Sequence, residues 1–411
     1  MTSTWLAWLN IGRNRRRTTL LLLIMTAGTA SLIVNRGLIT FIFNGLRDDA
    51  IYGRYGHIQI YKRGYALHHR QSPFEYWISD ADLARVEASL SNNRQIKAVT
   101  AEATLPVFLT FGERSAAGLA SGVVPGDLQL LHGALPIAGN YAVRDAGSFA
   151  DAVMGHGLAQ KLQLQVGDIF TIAAAGRSGA YNAMDVRVNG IFEEGFRDYD
   201  DWTLKLPLAA VQKLAGQTGV EKIMVILRDT NATEAAQASI ASSLQRDGID
   251  VETASWRELA EFYRQVMAMF GKELQTIQWI IEALVFFAVV SGLAMMFTER
   301  QHEMATLIAM GMTRVRLALL FAQESLWLGL LSACIGAVAG VVVGSLVSRV
   351  GISMPPPPGS TRGFIARVYL SPADIAHFSL LTCGVAALAA VIPALWIWRL
   401  DVASALRQER T

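Results

Sequence analysis

Four long apolar runs set the terms for this chain. Residues 18–34, 325–347 and 378–398 carry no charged side chain, and residues 279–297 carry one, Glu282. A hydrocarbon core about 30 Å thick takes roughly 20 apolar helical residues. Inside lipid the backbone must satisfy its own hydrogen bonds, which a helix does. Each run is therefore predicted to be a transmembrane helix. Composition agrees: 52% of the 411 residues are hydrophobic and 17% are charged, where a soluble domain carries about 25% charged residues. That excludes a disordered chain and argues against an ordinary soluble enzyme. The net charge of +2 gives no support for a nucleic-acid partner. Two cysteines, Cys334 and Cys383, both in apolar runs, make neither a disulfide framework nor a four-ligand zinc site.

Charge placement orients the spans. Arg13, Arg15, Arg16 and Arg17 stand just before the first run, which has no A-x-A-like site to close it. It reads as a retained span with a cytoplasmic N-terminus, not a cleaved signal. Trp5, Leu6, Trp8, Leu9 and Ile11 recur at roughly helical spacing ahead of it, as in a short interfacial helix. Four spans return the C-terminus to the same side. The loop 298–324, with Arg300, Arg314 and Arg316, is then cytoplasmic, and residues 44–276 lie outside.

That external segment mixes two periodicities. Residues 57–61 (HIQIY), 168–172 (DIFTI), 184–188 (MDVRV) and 222–227 (KIMVIL) read as strands. Residues 80–90, 208–214 and 232–245 read as helices. An α+β domain follows. Residues 255–297 contain no proline, and Ser255 with Glu258 has capping-box spacing. One continuous helix there would run ~65 Å, more than the bilayer needs, so its outer part is expected to form a stalk. The first span has no breaker before Gly37 and is expected to run on to Phe43 as the stalk's partner.

Catalytic signatures are missing: there is no phosphate-loop G-x-x-x-x-G-K-[ST], no H-E-x-x-H and no G-x-S-x-G. The chain is expected to be a non-catalytic subunit with no catalytic residues, no metal site and no cofactor of its own. His68 and His69 read as a loop pair. The acidic run Glu193, Glu194, Asp198, Asp200 and Asp201 lacks the alternating carboxylates of a calcium loop. Met304, Leu307, Ile308 and Met310 line one side of a short helix that Gly311 can end. From the residues alone, that helix either docks in a groove on a cytoplasmic partner or lies on the lipid surface.

The run E-M-A-T-L-I-A-M-G-M-T-R at 303–314 resembles the coupling helix of the MacB/LolC-LolE/FtsX permeases. These are the membrane subunits of mechanotransmission-type ABC transporters. The usual form there is E-I-x-x-L-R-A-x-G-A; Met304 stands for the Ile and Ile308 for the Arg. Gln323-Glu324 entering the third span, and the glycines behind them, also resemble the family. So does L-D-V-A-S-A-L-R at 400–407, with Val402 in place of a proline, and L-A-Q-K-L-Q-L-Q-V-G-D at 158–168. G-H-I-Q-I at 56–60 is similar to the LolE-like lipoprotein-sorting branch.

The resemblance implies an α-helical membrane protein of the bacterial inner membrane, with four transmembrane helices and a periplasmic α+β domain. It implies a dimer with an identical or different second permease, and a separate cytoplasmic ABC ATPase that holds ATP and Mg. Glu303, Met304, Leu307, Ile308, Met310, Gly311 and Arg314 would form the ATPase contact. The chain then divides into an interfacial helix with the first transmembrane helix (1–43), the periplasmic domain (44–254), and a stalk running into the second transmembrane helix (255–297). The coupling helix and loop (298–324), third transmembrane helix (325–347), external loop (348–377) and fourth transmembrane helix with cytoplasmic tail (378–411) complete it.

Three further features bear on assembly and cargo. Ser332, Gly336, Gly340 and Gly344 form a small-residue ladder on one helix face, which favours close helix packing; its partner, in this or another subunit, is open. Glu282 is a candidate substrate contact, since a carboxylate in an apolar run is a functional candidate, although Trp279 beside it marks an interface. Pro355–Pro358 form a stiff external loop. The length, the G-H-I-Q-I segment and the absence of a fused ATPase favour extraction of a lipoprotein or membrane lipid, with delivery to a periplasmic carrier. An FtsX-like scaffold for a periplasmic hydrolase and MacB-like efflux are the alternatives.

Overall fold

The computed structural model describes residues 15–91, 93–127, 135–145, 149–356 and 363–402. The expected interfacial helix and the chain beyond residue 402 lie outside the described residues. The chain forms two compact units, one from Met1–Asn44, Met267–Met354 and Ile365–Thr411, the other from Gly45–Val266 and Pro355–Phe364.

Helix α1 (Arg15–Ala50) leads through a π-helical turn (Ile51–Tyr55) into the larger unit. There follow β1 (Ile58–Lys62), α2 (Asp80–Leu90), β2 (Ile96–Phe111), β3 (Arg114–Val123), β4 (Leu135–Gly139) and β5 (Ala150–Gly155). Next come α3 (His156–Leu162), β6 (Ile169–Ala175), β7 (Tyr181–Glu193), β8 (Thr203–Pro207) and α4 (Leu208–Ala215). β9 (Lys222–Leu227), α5 (Thr233–Arg246) and β10 (Val251–Ser255) close this unit's sheet and helices. The ten strands make one mixed sheet in the order β10-β1-β9-β2-β3-β8-β5-β7-β4, with β6 pairing β2 and β7. β3–β8 and β5–β7 are parallel.

Two apolar cores lie along the sheet. Leu158 and Leu162 of α3 and Val211 and Leu214 of α4 pack on β2, β5, β6 and β8. Val86 and Leu90 of α2 and Ile240 and Leu244 of α5 pack on β1 and β9. The 158–168 motif is a core element: its three leucines are buried, and Gln163 turns the chain at φ +56. β3 is rich in Ala, Ser and Gly because helices press on it. A Cβ at Gly122 would lie 2.8 Å from Val211 Cβ.

After the sheet come α6 (Trp256–Leu259), α7 (Glu261–Glu299), α8 (Gln301–Ala309) and α9 (Arg314–Val350). The short paired strands β11 (Ile352–Met354) and β12 (Phe364–Ala366) precede α10 (Pro372–Ala389) and α11 (Val391–Trp398). Among the described residues, four helical stretches are long and apolar enough to cross a membrane: Thr18–Tyr55, Tyr263–Glu299, Arg314–Val350 and Pro372–Trp398.

One expectation needs correction, and one span carries a break within it. The Ser255–Glu258 capping box is present, but the helix it opens lasts one turn and breaks at Ala260 (φ −83, ψ 66). Trp256 and Ala260 are both drawn into a cluster with Ala50, Ile51, Tyr55 and Tyr263, and that packing overrides a straight continuation. The last span is two helices joined at Ala390. Pro393 has no N–H to bond the carbonyl four residues back, so the helix bends there.

Candidate functional site

Helix α8 is built into the end of the helical unit. Met304 and Ala305 are buried with Phe297 of α7, Leu317 and Phe321 of α9, and Ile397 of α11; Leu307 and Ile308 pack on the same cluster, half-buried. The row read from the sequence is therefore split. Met304 faces the chain's own core and is closed to a partner, because the junction of α7, α9 and α11 needs an apolar plug. Met310 is 72% exposed. The helix ends in a left-handed turn: Gly311 has φ +96, and the N–H groups of Gly311 and Met312 donate to Ile308 and Leu307 carbonyls at 3.0 Å each. Thr313 Oγ1 then caps α9 by accepting from the Arg316 N–H.

Two arginines fix this corner. The Arg314 guanidinium donates to the carbonyls of Trp398 and Leu400, where a cation complements the C-terminal end of α11. Arg300 Nη1 lies 3.2 Å from both carboxylate oxygens of Glu324, and the two side chains are only 12% and 2% exposed. Glu303 is half-buried in the first turn of α8, where a carboxylate suits the helix dipole. α8 and its flanking arginines are thus in packed contact with α7, α9 and α11. The resemblance pointed to Glu324 without a role, and Arg300 entered only as a loop charge; a carboxylate inside an apolar helix with an arginine just before α8 was the signal.

The small-residue ladder packs within the chain. Ser332, Gly336, Gly340 and Gly344 are all buried. A Cβ at Gly336 would lie 2.7 Å from Thr29 Cβ, and one at Gly340 3.1 Å from Ile33 Cβ, both on α1. Gly344 meets Val368 instead. Thr29 Oγ1 also bonds Thr382 Oγ1 of α10 at 2.8 Å, so α1, α9 and α10 share one contact.

A cleft of about 250 Å³ opens between α1, α7 and α10. Leu32, Ile39, Leu274 and Phe378 give it apolar walls, and Asn35, Arg36, Gln275 and Gln278 give it polar groups. Arg36 also faces Asp374 at 3.6 Å. Glu282 does not line this cleft. It is half-buried and accepts a 2.8 Å bond from Gln278 Nε2, so it stands one hydrogen bond behind the wall.

The acidic loop folds on itself. Asp200 accepts the N–H groups of Glu194 and Gly195 at 2.9 and 3.1 Å, and Glu194 pairs with Lys205 at 2.7 Å, both side chains buried. Burial opposes the charge on Lys205, and the Glu194 carboxylate more than offsets that, raising its pKa well above the ordinary lysine range. Among the described residues no three His, Cys, Asp or Glu side chains are placed to hold a metal. His68 stacks on Tyr76 and His69 on Tyr65. Pro355 and Pro356 are exposed and belong to no helix or strand; Pro357 and Pro358 lie outside the described residues.

Residues 18–243 match the MacB-like periplasmic core domain, and residues 276–402 match the FtsX-like permease C-terminal family. The lipoprotein-releasing system transmembrane protein LolC of Neisseria meningitidis serogroup B is 23% identical over 277 residues, 64% of this chain. The match spans 60% of that relative's length. Among solved structures, the periplasmic region of MacB from Actinobacillus actinomycetemcomitans is similar at 16% identity and a TM-score of 0.38, over 52% of this chain and 95% of that one. The extracellular domain of the noncanonic ABC-type transporter YknZ from Gram-positive bacteria is similar at 13% identity and a TM-score of 0.35, over 49% of this chain and 100% of that one. With one family matched across more than half of its length and a second across its remaining helices, the chain belongs to the MacB/LolC/FtsX family of ABC-transporter permeases, multi-pass membrane proteins with a large periplasmic domain.

Proposed function

We propose that this permease converts ATP binding and hydrolysis on a separate cytoplasmic ATPase into movement of its periplasmic domain, and that its cargo is a lipoprotein or lipid drawn from the inner membrane. ATP and Mg belong to the ATPase chain. A second permease, identical or different, completes the membrane part, and a periplasmic carrier receives the cargo. The observation that carries the cargo reading is the cleft beside α1 and α7. It sets Arg36, Asn35 and Gln275 against apolar walls, which matches a molecule with acyl chains and a polar head. The similarity to a lipoprotein-releasing protein supports the same class. Coupling rests on α8, whose core contacts and arginine anchors tie it to three membrane helices while Met310 projects outward.

A photo-crosslinking residue at Gln275 tests the cargo. In the intact complex it should capture lipid or lipoprotein, and capture should fall when ATP is added. Capture of a periplasmic hydrolase without lipid would favour the regulatory scaffold, and capture of a soluble periplasmic substrate would favour efflux.

A further inference from the structure

One residue, Arg300, joins α7 to α8. No glycine or proline stands between Gly292 and Gly311, so local preference would carry α7 on into α8 as one helix. The helix breaks there all the same. Arg300 sits at φ −100, ψ 9. Its N–H donates to the Phe297 carbonyl three residues back, at 3.2 Å, and its own carbonyl accepts the Met304 N–H at 2.9 Å, which begins α8. Helix breaks have identifiable causes. With no breaker in the sequence, the cause here is what Arg300 and its neighbours touch.

Two kinds of contact meet at the joint. Phe297 ahead of it and Met304 and Ala305 beyond it share one apolar cluster, and the Phe297 ring stands edge-on to Phe321 and Trp396. Apolar burial has no preferred direction. It would accept a continuous helix, on which positions 297, 300 and 304 fall along one face. The Arg300–Glu324 pair is directional: the guanidinium reaches both carboxylate oxygens, nearly out of solvent. Its acceptor is anchored, because Ser325 beside Glu324 donates to the Ala386 carbonyl of α10 at 2.6 Å. Replacing a buried ion pair by apolar residues of similar volume is often neutral or stabilising. Stability alone therefore does not account for this pair, and its directed geometry does.

We propose that the Arg300–Glu324 pair holds the break between α7 and α8, which makes both residues positioning residues for coupling. Held to α9 by its side chain, Arg300 stays out of helical geometry, and α8 is presented as a separate segment. The functional consequence rests on the reading of α8 as the ATPase contact; the state of the joint does not.

The test exchanges the two charges for apolar volume. Arg300→Met combined with Glu324→Leu removes both charges of the pair together. Glu324→Gln, which keeps the shape and loses the charge, takes its place if the double variant fails to fold. Thermal unfolding of the full-length protein in detergent establishes the fold of each. Fusing the helices would give the N–H groups of residues 301–303 the carbonyls of 297–299 as acceptors. Hydrogen exchange at those amides should therefore slow about tenfold or more. In the intact complex, the variant should lose the ATP-driven fall in capture by a photo-crosslinking residue at Gln275, whether or not its ATPase stays bound. Unchanged exchange at 301–303 in a folded variant would overturn the proposal, and so would a fall at Gln275 equal to that of the wild type. A wild-type complex that holds no ATPase, or shows no fall at Gln275, would instead count against the transport reading, and the exchange measurement still decides the joint.

Discussion

Adding one methyl group at Gly336 tests how α1 and α9 meet. The new Cβ would lie 2.7 Å from Thr29 Cβ and 3.1 Å from the Thr26 carbonyl oxygen. Carbon atoms pack at about 3.5–4.0 Å, so one helix must move by roughly 1 Å. Overpacking of this kind costs about 1–3 kcal/mol. At Gly340 the nearest atoms are 3.1–3.3 Å away, all on the Ile33 side chain, and need to give by only a few tenths of what Gly336 demands, so the cost is smaller. At Gly384 nothing lies within 4 Å. All three glycines are helical, and Gly→Ala carries a similar propensity gain of about 1 kcal/mol at each. That gain cancels when variants are compared with one another. Relative to Gly384→Ala, Gly336→Ala should lose about 1–3 kcal/mol, with Gly340→Ala between them. Reversible unfolding in mixed detergent and dodecyl sulfate micelles measures the series. Equal stability of Gly336→Ala and Gly384→Ala would refute the packing of α9 on α1.

Two predictions concern the periplasmic domain. His57 is buried, with Nδ1 accepting from the Leu227 N–H and Nε2 donating to Thr230 Oγ1; burial lowers its pKa from 6.5 to about 4, with Arg47 and Lys97 adding and Asp48 and Asp229 opposing. The unfolded chain takes up that proton below pH 6.5 while the folded chain resists until about pH 4, so stability falls as pH drops through this window, by about 3 kcal/mol in all. His57→Gln should flatten the loss in pH-dependent unfolding, and an unchanged slope would remove His57 as its source. Lys205→Met strands the buried Glu194 carboxylate and should cost about 3–5 kcal/mol, whereas adding Glu194→Leu should restore much of it. Chemical unfolding of the three proteins decides, and a single-variant cost under about 1 kcal/mol would mean the pair is solvated.

The sequence exposes what lipid and strict periodicity dictate. The four spans follow from apolar length alone. α2 and β9 coincide with the residues read as helix and strand, because an N-cap serine before α2 and a run of branched residues in β9 are strong local signals. β3 escaped because its small residues carry little strand preference; they are small to admit α3 and α4. β8 escaped because Lys205 interrupts an apolar strand, and only the fold supplies its partner Glu194. At α8 the apolar row was visible, but not which of its members the chain would bury itself. Helical periodicity identifies a face and leaves the occupant of that face undetermined.

The claim that α8 carries the ATPase contact is tested most directly at Met310. Leu307 packs on the chain's own core, so replacing it would confuse folding with docking; Met310 is exposed and does not. Seating a methionine in a partner groove is worth roughly 1.5–3 kcal/mol, and an aspartate there would also bury an unpaired charge. Val350→Asp, at the opposite end of α9 and 78% exposed, makes the same chemical change away from α8. Pull-down of the tagged permease with its ATPase should show Met310→Asp inserted and folded but stripped of ATPase, while Val350→Asp retains it. Retention of the ATPase at wild-type levels by both variants would contradict the assignment of α8 as the coupling helix.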